Sequence, residues 1–235
     1  HTANARVIQR NHHEQIMNEM NFEQARFNMI EQQIRPWDVL DQRVLDVIAD
    51  VPREAFVPER YRNLAFADIR IPIGHDQVMM NPNVEGRLLQ ALQIQSSDKI
   101  LEIGTGSGYL SACLARLGGS VLSVDIVAEF SEQSEQKLRA NHISNVTLQT
   151  GDAVNGWGER QYDVIVLTAS LAKLPEHWQQ QLNIGGRLFV IVGEEPIMEA
   201  ILVTRSAERE WVQESLFETE IPPLINSTTP PPFQF

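Results

Sequence analysis

Apolar positions along this chain follow two successive rhythms. Over the first part they recur at helical spacing. Phe22, Ala25, Met29, Ile30 and Ile34 form one apolar stripe that stops before Pro36. Val44, Leu45, Val47 and Ile48 form a second, with Asp41 placed to cap its start and Pro52 near its end. A mixed stretch follows, with extended structure expected around residues 69–73, and then Val84, Leu88, Leu89, Ala91 and Leu92 mark a helix over residues 83–94. From Lys99 the rhythm changes to short apolar runs alternating with helical stretches, as successive βαβ units require. Strands are predicted at 100–103, 120–125, 146–149, 162–167 and 187–192. Helices are predicted at 109–117, 128–141 and, briefly, 178–182. Gly118-Gly119 end the first of these helices, and Gly185-Gly186 read as the turn into the strand at 187. Two more strands, 200–204 and 211–217, are expected as an antiparallel edge pair. The prolines of residues 222–235 exclude regular structure there, and Phe233 and Phe235 are equally compatible with docking on the domain and with a free end.

The chain is organised around Lys99-Ile100-Leu101-Glu102-Ile103-Gly104-Thr105-Gly106-Ser107-Gly108-Tyr109. This stretch is a buried strand, a glycine turn and the start of a helix, which together make a nucleotide-binding corner. A dinucleotide fingerprint, G-x-G-x-x-G, needs glycine where this chain has Tyr109; its third glycine is Gly108, and Glu102 precedes the turn. That argues against a nicotinamide oxidoreductase. The G-x-G-x-G pattern with its leading acid resembles the first motif of class I S-adenosylmethionine-dependent methyltransferases. The sulfonium and ammonium of that cofactor tolerate a carboxylate, and it has no phosphate to seat. The cofactor residues expected in the corner are Glu102, Ile103, Gly104, Thr105, Gly106, Ser107, Gly108 and Tyr109. Ligands of open α/β sheets bind beyond the carboxyl ends of the strands. That rule adds Asp125 for the ribose hydroxyls, Asp152 for the adenine amino group with the Ala153 N–H beside it, Ile126 and Gly151 as neighbouring cofactor positions, and Thr168 beside the transferred methyl. Trp157 and Tyr162 are read as core or rim aromatics.

Composition narrows the classes. The 235 residues carry 31 acidic and 19 basic side chains, a net charge of -12, which disfavours nucleic acid and anionic membrane as partners. No apolar run is long enough to span a bilayer. The single cysteine, Cys113, excludes an intrachain disulfide, fits a reducing, cytoplasmic setting, and falls at a core position. No spacing predicts a metal site, and His12-His13 are read as solvated. The polar residues 1–20 are expected to be a tag or disordered leader, with the native start near Met17 or Met20. Residues 21–235 are expected to be one domain: a helical cap at 21–97, the cofactor-binding core at 98–220 and the tail from 221.

Further stretches carry a more specific likeness. Val51-Pro52-Arg53-Glu54-Ala55-Phe56-Val57-Pro58, Ile71-Pro72-Ile73-Gly74-His75, Tyr162-Asp163-Val164-Ile165-Val166-Leu167-Thr168-Ala169 and Gln181-Leu182-Asn183-Ile184-Gly185-Gly186-Arg187-Leu188 resemble the protein-L-isoaspartate O-methyltransferase family. The likeness covers most of the chain. It implies a Rossmann-like α/β fold: a mostly parallel seven-stranded sheet with helices on both faces, a reversed final strand and a helical N-terminal cap. It also implies S-adenosylmethionine as cofactor and a protein or peptide carboxylate as methyl acceptor, with no nucleic acid or membrane partner. The substrate-side loop departs from the family pattern. Where the family continues Gly-Gln-Thr-Ile-Ser, this chain has Asp76-Gln77-Val78-Met79-Met80. His75, Asp76, Gln77, Val78, Met80 and Asn81 are the substrate-side candidates, with no residue assigned a certain catalytic role. Val78 and Met80 lack the hydroxyls, and Asp76 lining the site would repel an anionic acceptor by about 4 kcal/mol at ~4 Å. Three readings stay open on the residues: carboxyl methylation of isoaspartate, methylation of a different acceptor such as a small molecule, and cofactor binding without turnover.

Overall fold

The computed structural model describes residues 11, 14, 15 and 21–227. His12-His13, the start near Met17 or Met20, and the terminal Phe233 and Phe235 lie outside the described residues. The first apolar stripe forms α1, described over residues 21–29, which runs into a π-helical turn, Ile30–Ile34, and a 3-10 turn, Arg35–Trp37. The helical path therefore continues through Pro36 instead of stopping before it. Proline is tolerated at the start of a new short turn because the missing N–H has no intrahelical acceptor there. Helix α2 (Gln42–Asp50) is capped as expected, the Asp41 carboxylate accepting from the Arg43 N–H at 2.9 Å. The extended segment is a small hairpin of β1 (Ile71–Gly74) and β2 (Gln77–Met79), turned by His75 and Asp76, both at positive φ. The three residues of β2 are too few to show a period in the sequence. Helix α3 (Pro82–Leu92) follows, with proline in its first turn.

The core alternates as expected: β3 (Lys99–Ile103), α4 (Tyr109–Leu117), β4 (Ser120–Asp125), α5 (Ala128–Ala140), β5 (Val146–Thr150), β6 (Tyr162–Leu171), α6 (Glu176–Gln180), β7 (Leu182–Glu194), β8 (Ile197–Ala207) and β9 (Glu210–Glu218). One seven-stranded sheet runs β5-β4-β3-β6-β7-β8-β9. Strands β5, β4, β3, β6 and β7 are mutually parallel, and the reversal at the end of the sheet is carried by β8, antiparallel to both β7 and β9. Two elements differ from the periodicity. The short helix closes at Gln180 because Leu182 already pairs with Tyr162 as the first residue of β7. Gly185-Gly186 then form a bulge inside β7, not a turn before it; a Cβ on Gly186 would meet the carbonyls of Tyr162 and Asp163, each at 3.1 Å.

Alternation along the buried strands divides the core into two layers. Val164, Val166, Phe189 and Ile191 face one side, with α3, α4, Leu138 of α5 and the N-terminal cap packed against them. Ile165, Leu167, Leu188 and Val190 face the other, covered by Trp178 of α6. Helices thus lie on both faces of the sheet. The carboxyl ends of β3, β4 and β6 open toward the cap, which places the β1–β2 hairpin over the glycine turn.

Candidate active site

The glycine turn gets its shape from residues that only glycine can occupy. Gly104 and Gly108 hold φ values of 98° and 83°. A Cβ on Gly104 would sit 2.1 Å from Thr168 Oγ1, and one on Gly108 would sit 2.7 Å from Ser134 Oγ on α5. The turn is fastened at both edges. The Gly104 N–H donates to the Val124 carbonyl at 2.7 Å, and the Thr168 hydroxyl donates to the Gly104 carbonyl at 2.7 Å. Asp125, 8% exposed at the end of β4, accepts from the Gly106 N–H and from the Val127 N–H, each at 2.9 Å.

A cleft opens against this turn. Its floor is Ile103, Gly104 and Gly106; Asp125 and Ile126 form one wall, Gly151, Asp152 and Ala153 another. Thr168 and Ala169 close the β6 end, where two extra residues bulge β6 outward between its pairings at Val166 and Ser170. The hairpin contributes Ile73, Gln77 and Val78, and the tail contributes Leu224 and Ile225. No Lys, Arg or His is among these lining residues.

Nine of the expected cofactor residues therefore meet in one cleft. The other five stand behind it. Glu102 is fully buried; one oxygen accepts from the Ser111 and Ser123 hydroxyls while the other has no hydrogen-bond partner among the described residues. Burial raises its carboxyl to about 7. Thr105 shares a 2.6 Å hydrogen bond with Ser123, and Ser107 turns its hydroxyl to the Tyr109 N–H. Gly108 ends the turn against α5. Tyr109, as the first residue of α4, points into the core and stacks edge-on to Phe56. Burial pushes the Cys113 thiol well above its ordinary value, which leaves it a packing group and not a nucleophile.

The substrate-side candidates divide as well. Gln77 and Val78 line the cleft; the others do not. His75 pairs with Glu129 at 2.9 Å and sets its ring on Phe130. Asp76 is an exposed turn residue, so the repulsion expected of it does not arise from the cleft wall. The Met80 side chain is buried in the core, and its carbonyl accepts from Arg53. Asn81 bonds Asp68 at 2.8 Å and lines a second cleft. Sequence reasoning missed Ile73, Val124, Phe130, Ala169, Leu224 and Ile225, all of which line the cleft. Apolar residues there carry no chemical signature, and the aromatics read as possible tail contacts, Phe233 and Phe235, lie outside the described residues.

The Val51–Pro58 segment also acquires a physical role. Arg53, 1% exposed, ties three parts together: its guanidinium donates to the Ala65 carbonyl, to Glu85 of α3 and to the Met80 carbonyl, and it lies 4.9 Å over the Tyr109 ring. Lys137 of α5 bridges the Phe56 and Ser107 carbonyls at 3.1 and 3.3 Å. The segment thus braces the glycine turn against the substrate-side hairpin.

Sheet order, glycine turn and cleft together define a Rossmann-like α/β protein of the methyltransferase type. A Plasmodium falciparum structure described as a protein-L-isoaspartate O-methyltransferase in complex with S-adenosyl-L-homocysteine superposes with a TM-score of 0.72 at 18% identity, over 86% of this chain and 97% of that one. The family described as "Protein-L-isoaspartate(D-aspartate) O-methyltransferase (PCMT)" matches residues 24–228, and this chain belongs to it. Protein-L-isoaspartate O-methyltransferase 1 of Rhodopseudomonas palustris is 37% identical over 87% of this chain and 84% of its own length. The Gloeobacter violaceus protein-L-isoaspartate O-methyltransferase is 36% identical over 83% of this chain and 96% of its own.

Proposed function

We propose that this chain is an S-adenosylmethionine-dependent methyltransferase that esterifies the carboxylate of isoaspartyl residues in proteins, a repair reaction carried out in the cytoplasm by a single domain in which residues 21–97 cap the 98–220 core. The observation that carries the reading is the cleft itself: two carboxylates, Asp125 and Asp152, and no basic side chain, at the mouth of the parallel strands. Such a lining repels phosphate and suits a cationic nucleoside. The glycine positions fit too: a Cβ at Gly104 would collide with Thr168 Oγ1, so only bare backbone packs at this edge of the cleft.

In this reading the cofactor, when bound, supplies a methyl group on a positively charged sulfur. Asp125 would accept from the ribose hydroxyls, Asp152 and Ala153 would hold the base, and the Gly104–Gly108 turn would leave room for the remainder against bare backbone. Glu102 lies buried directly behind the turn, held by the Ser111 and Ser123 hydroxyls. The acceptor enters between the hairpin and the β6 bulge. A carboxylate is ionised at neutral pH and needs no general base. The work left to the chain is orientation and exclusion of water. Gln77, whose amide also donates to the His75 carbonyl at 3.3 Å, keeps a second N–H to orient the acceptor, and Ile73 and Val78 strip water from it. Thr168 is already committed to the Gly104 and Ile103 carbonyls. Family membership favours isoaspartate over the other acceptors that the residues alone leave open.

The test is transfer of a radiolabelled methyl group to an isoaspartyl peptide beside its aspartyl counterpart. Base-labile label on the isoaspartyl peptide alone is the expected result. Cofactor binding without label on that peptide would overturn the acceptor, and no binding of S-adenosylhomocysteine would overturn the whole reading.

A further inference from the structure

Two chain segments pass from the cleft at the glycine turn into the second cleft. On one, Gln77 and Val78 line the first opening and Asn81 and Asn83 the second, with buried Met80 between them. On the other, Leu224 and Ile225 line the first opening and Glu218 and Glu220 the second, with buried Ile221 between them. The same pair of segments thus bounds both openings. An extended chain advances ~3.3 Å per residue, so the step from Val78 to Asn81 is matched by about three residues of an extended peptide.

The second opening offers groups for a carbonyl and for a cation. Asn83 is 3% exposed, its Oδ1 accepts from the Val84 N–H at 2.8 Å, and its amide nitrogen has no partner among the described residues. A buried amide left to a cleft is a donor for an incoming acceptor such as a peptide carbonyl. Asp68 accepts from the Asn81 amide at 2.8 Å, and neither Asp68 nor Glu218 meets a cation among the described residues. Arg70, the one basic side chain on this wall among the described residues, is turned to Glu220: it donates to the Glu220 carbonyl at 3.1 Å and stands 3.9 Å from its carboxylate. Trp37 lines the same opening, 37% exposed, and is set edge-on against Phe217 at a centroid distance of 5.9 Å. Two unpaired carboxylates near an exposed indole suit an ammonium or guanidinium group.

We propose that the second cleft reads the sequence around the methylated residue: it seats a lysine or arginine about three residues away, with Trp37, Asp68 and Glu218 around the charge and the Asn83 amide on a backbone carbonyl of the same peptide. This rests on the acceptor reading above and extends it from the isomerised residue to its neighbours. Glu218 and Asn83 determine specificity here, and neither touches the reacting atoms.

Methyl transfer from radiolabelled S-adenosylmethionine to a series of isoaspartyl peptides tests it, with lysine, alanine or glutamate placed in turn two, three and four residues to either side. At one of these positions the wild type is expected to favour lysine over glutamate by about tenfold in kcat/KM, through KM with kcat unchanged. Most of that preference is expected to vanish at about 0.5 M salt. Glu218→Lys, at an exposed position, is expected to invert the order, making the glutamate peptide the better substrate. A merely structural role for Glu218 would lower all rates in parallel and leave the order alone. Asn83→Asp keeps the bond to the Val84 N–H at the start of α3 but offers no donor, and is expected to raise KM for the alanine peptide about fivefold. An unchanged KM in Asn83→Asp overturns the carbonyl contact. Equal rates across the series, or an order that Glu218→Lys leaves as it was, overturn the subsite and leave the acceptor reading standing. No label on any peptide overturns both.

Discussion

Glu102 shows how much one buried side chain can carry. Its carboxyl lies beneath the glycine turn among serine hydroxyls, and burial raises it to about 7 from an ordinary 4.5. The native protein therefore keeps a proton that the unfolded chain releases. The stabilisation this gives is complete below the ordinary carboxyl range and is lost as pH rises through about 7. Glu102→Gln fixes the neutral form. Wild type and variant are expected to melt at similar temperatures near about pH 5, with the wild type falling below the variant by about pH 8. Glu85, also raised to about 7, is present in both proteins and couples to Glu102, so the comparison reads the pH dependence that Glu102 adds, its coupling to Glu85 included. A difference that stays constant with pH would show Glu102 ionised throughout. Gly108 makes the complementary point about backbone. With φ of 83° and Ser134 Oγ only 2.7 Å from where a Cβ would stand, Gly108→Ala is expected to cost roughly 1–3 kcal/mol in urea unfolding, with weakened S-adenosylhomocysteine binding.

At the scale of elements, the β1–β2 hairpin decides what the divergent loop means. Read as a linear string, Val78 and Met80 are two equivalent losses of a hydroxyl. In the fold they are not equivalent. Val78 lines the cleft, while Met80 is buried in the core with its carbonyl held by Arg53. Val78→Thr is expected to leave the melting temperature nearly unchanged and to raise kcat/KM for an isoaspartyl peptide by about tenfold, one added hydrogen bond to a carboxylate. Met80→Ser is expected to destabilise the protein by about 2–4 kcal/mol, because it opens a cavity and buries a hydroxyl. Steady-state kinetics and denaturant titration on the two single variants separate these effects. A rate gain from Met80→Ser in place of Val78→Thr would reverse the assignment.

For the molecule as a whole, the β1–β2 hairpin, the ends of β3, β4 and β6, and Leu224 and Ile225 line one cleft, so a ligand there is coupled to the stability of all of them. S-adenosylhomocysteine at about a hundred times its dissociation constant is expected to stabilise the chain by about 2.7 kcal/mol, a rise in melting temperature of roughly 5–11 °C. Absence of any shift would place the ligand elsewhere or remove it. Among the described residues, no helix is long and apolar enough to cross a membrane.

The order of strands and helices from Lys99 onward was legible because buried parallel strands read as dense apolar runs, and β3, β4, β6 and β7 are of that kind. The glycine turn and the acids after β4 and β5 were legible because backbone geometry and charge leave few residue types to choose from at those points. Contacts between segments distant in sequence were not. Which hairpin residue faces the cleft, that Arg53 binds the Met80 carbonyl, and that the tail returns to Ser170 are all set by side chains and carbonyls brought together only on folding. Local periodicity records whether a residue is buried. Only the packed structure decides against what.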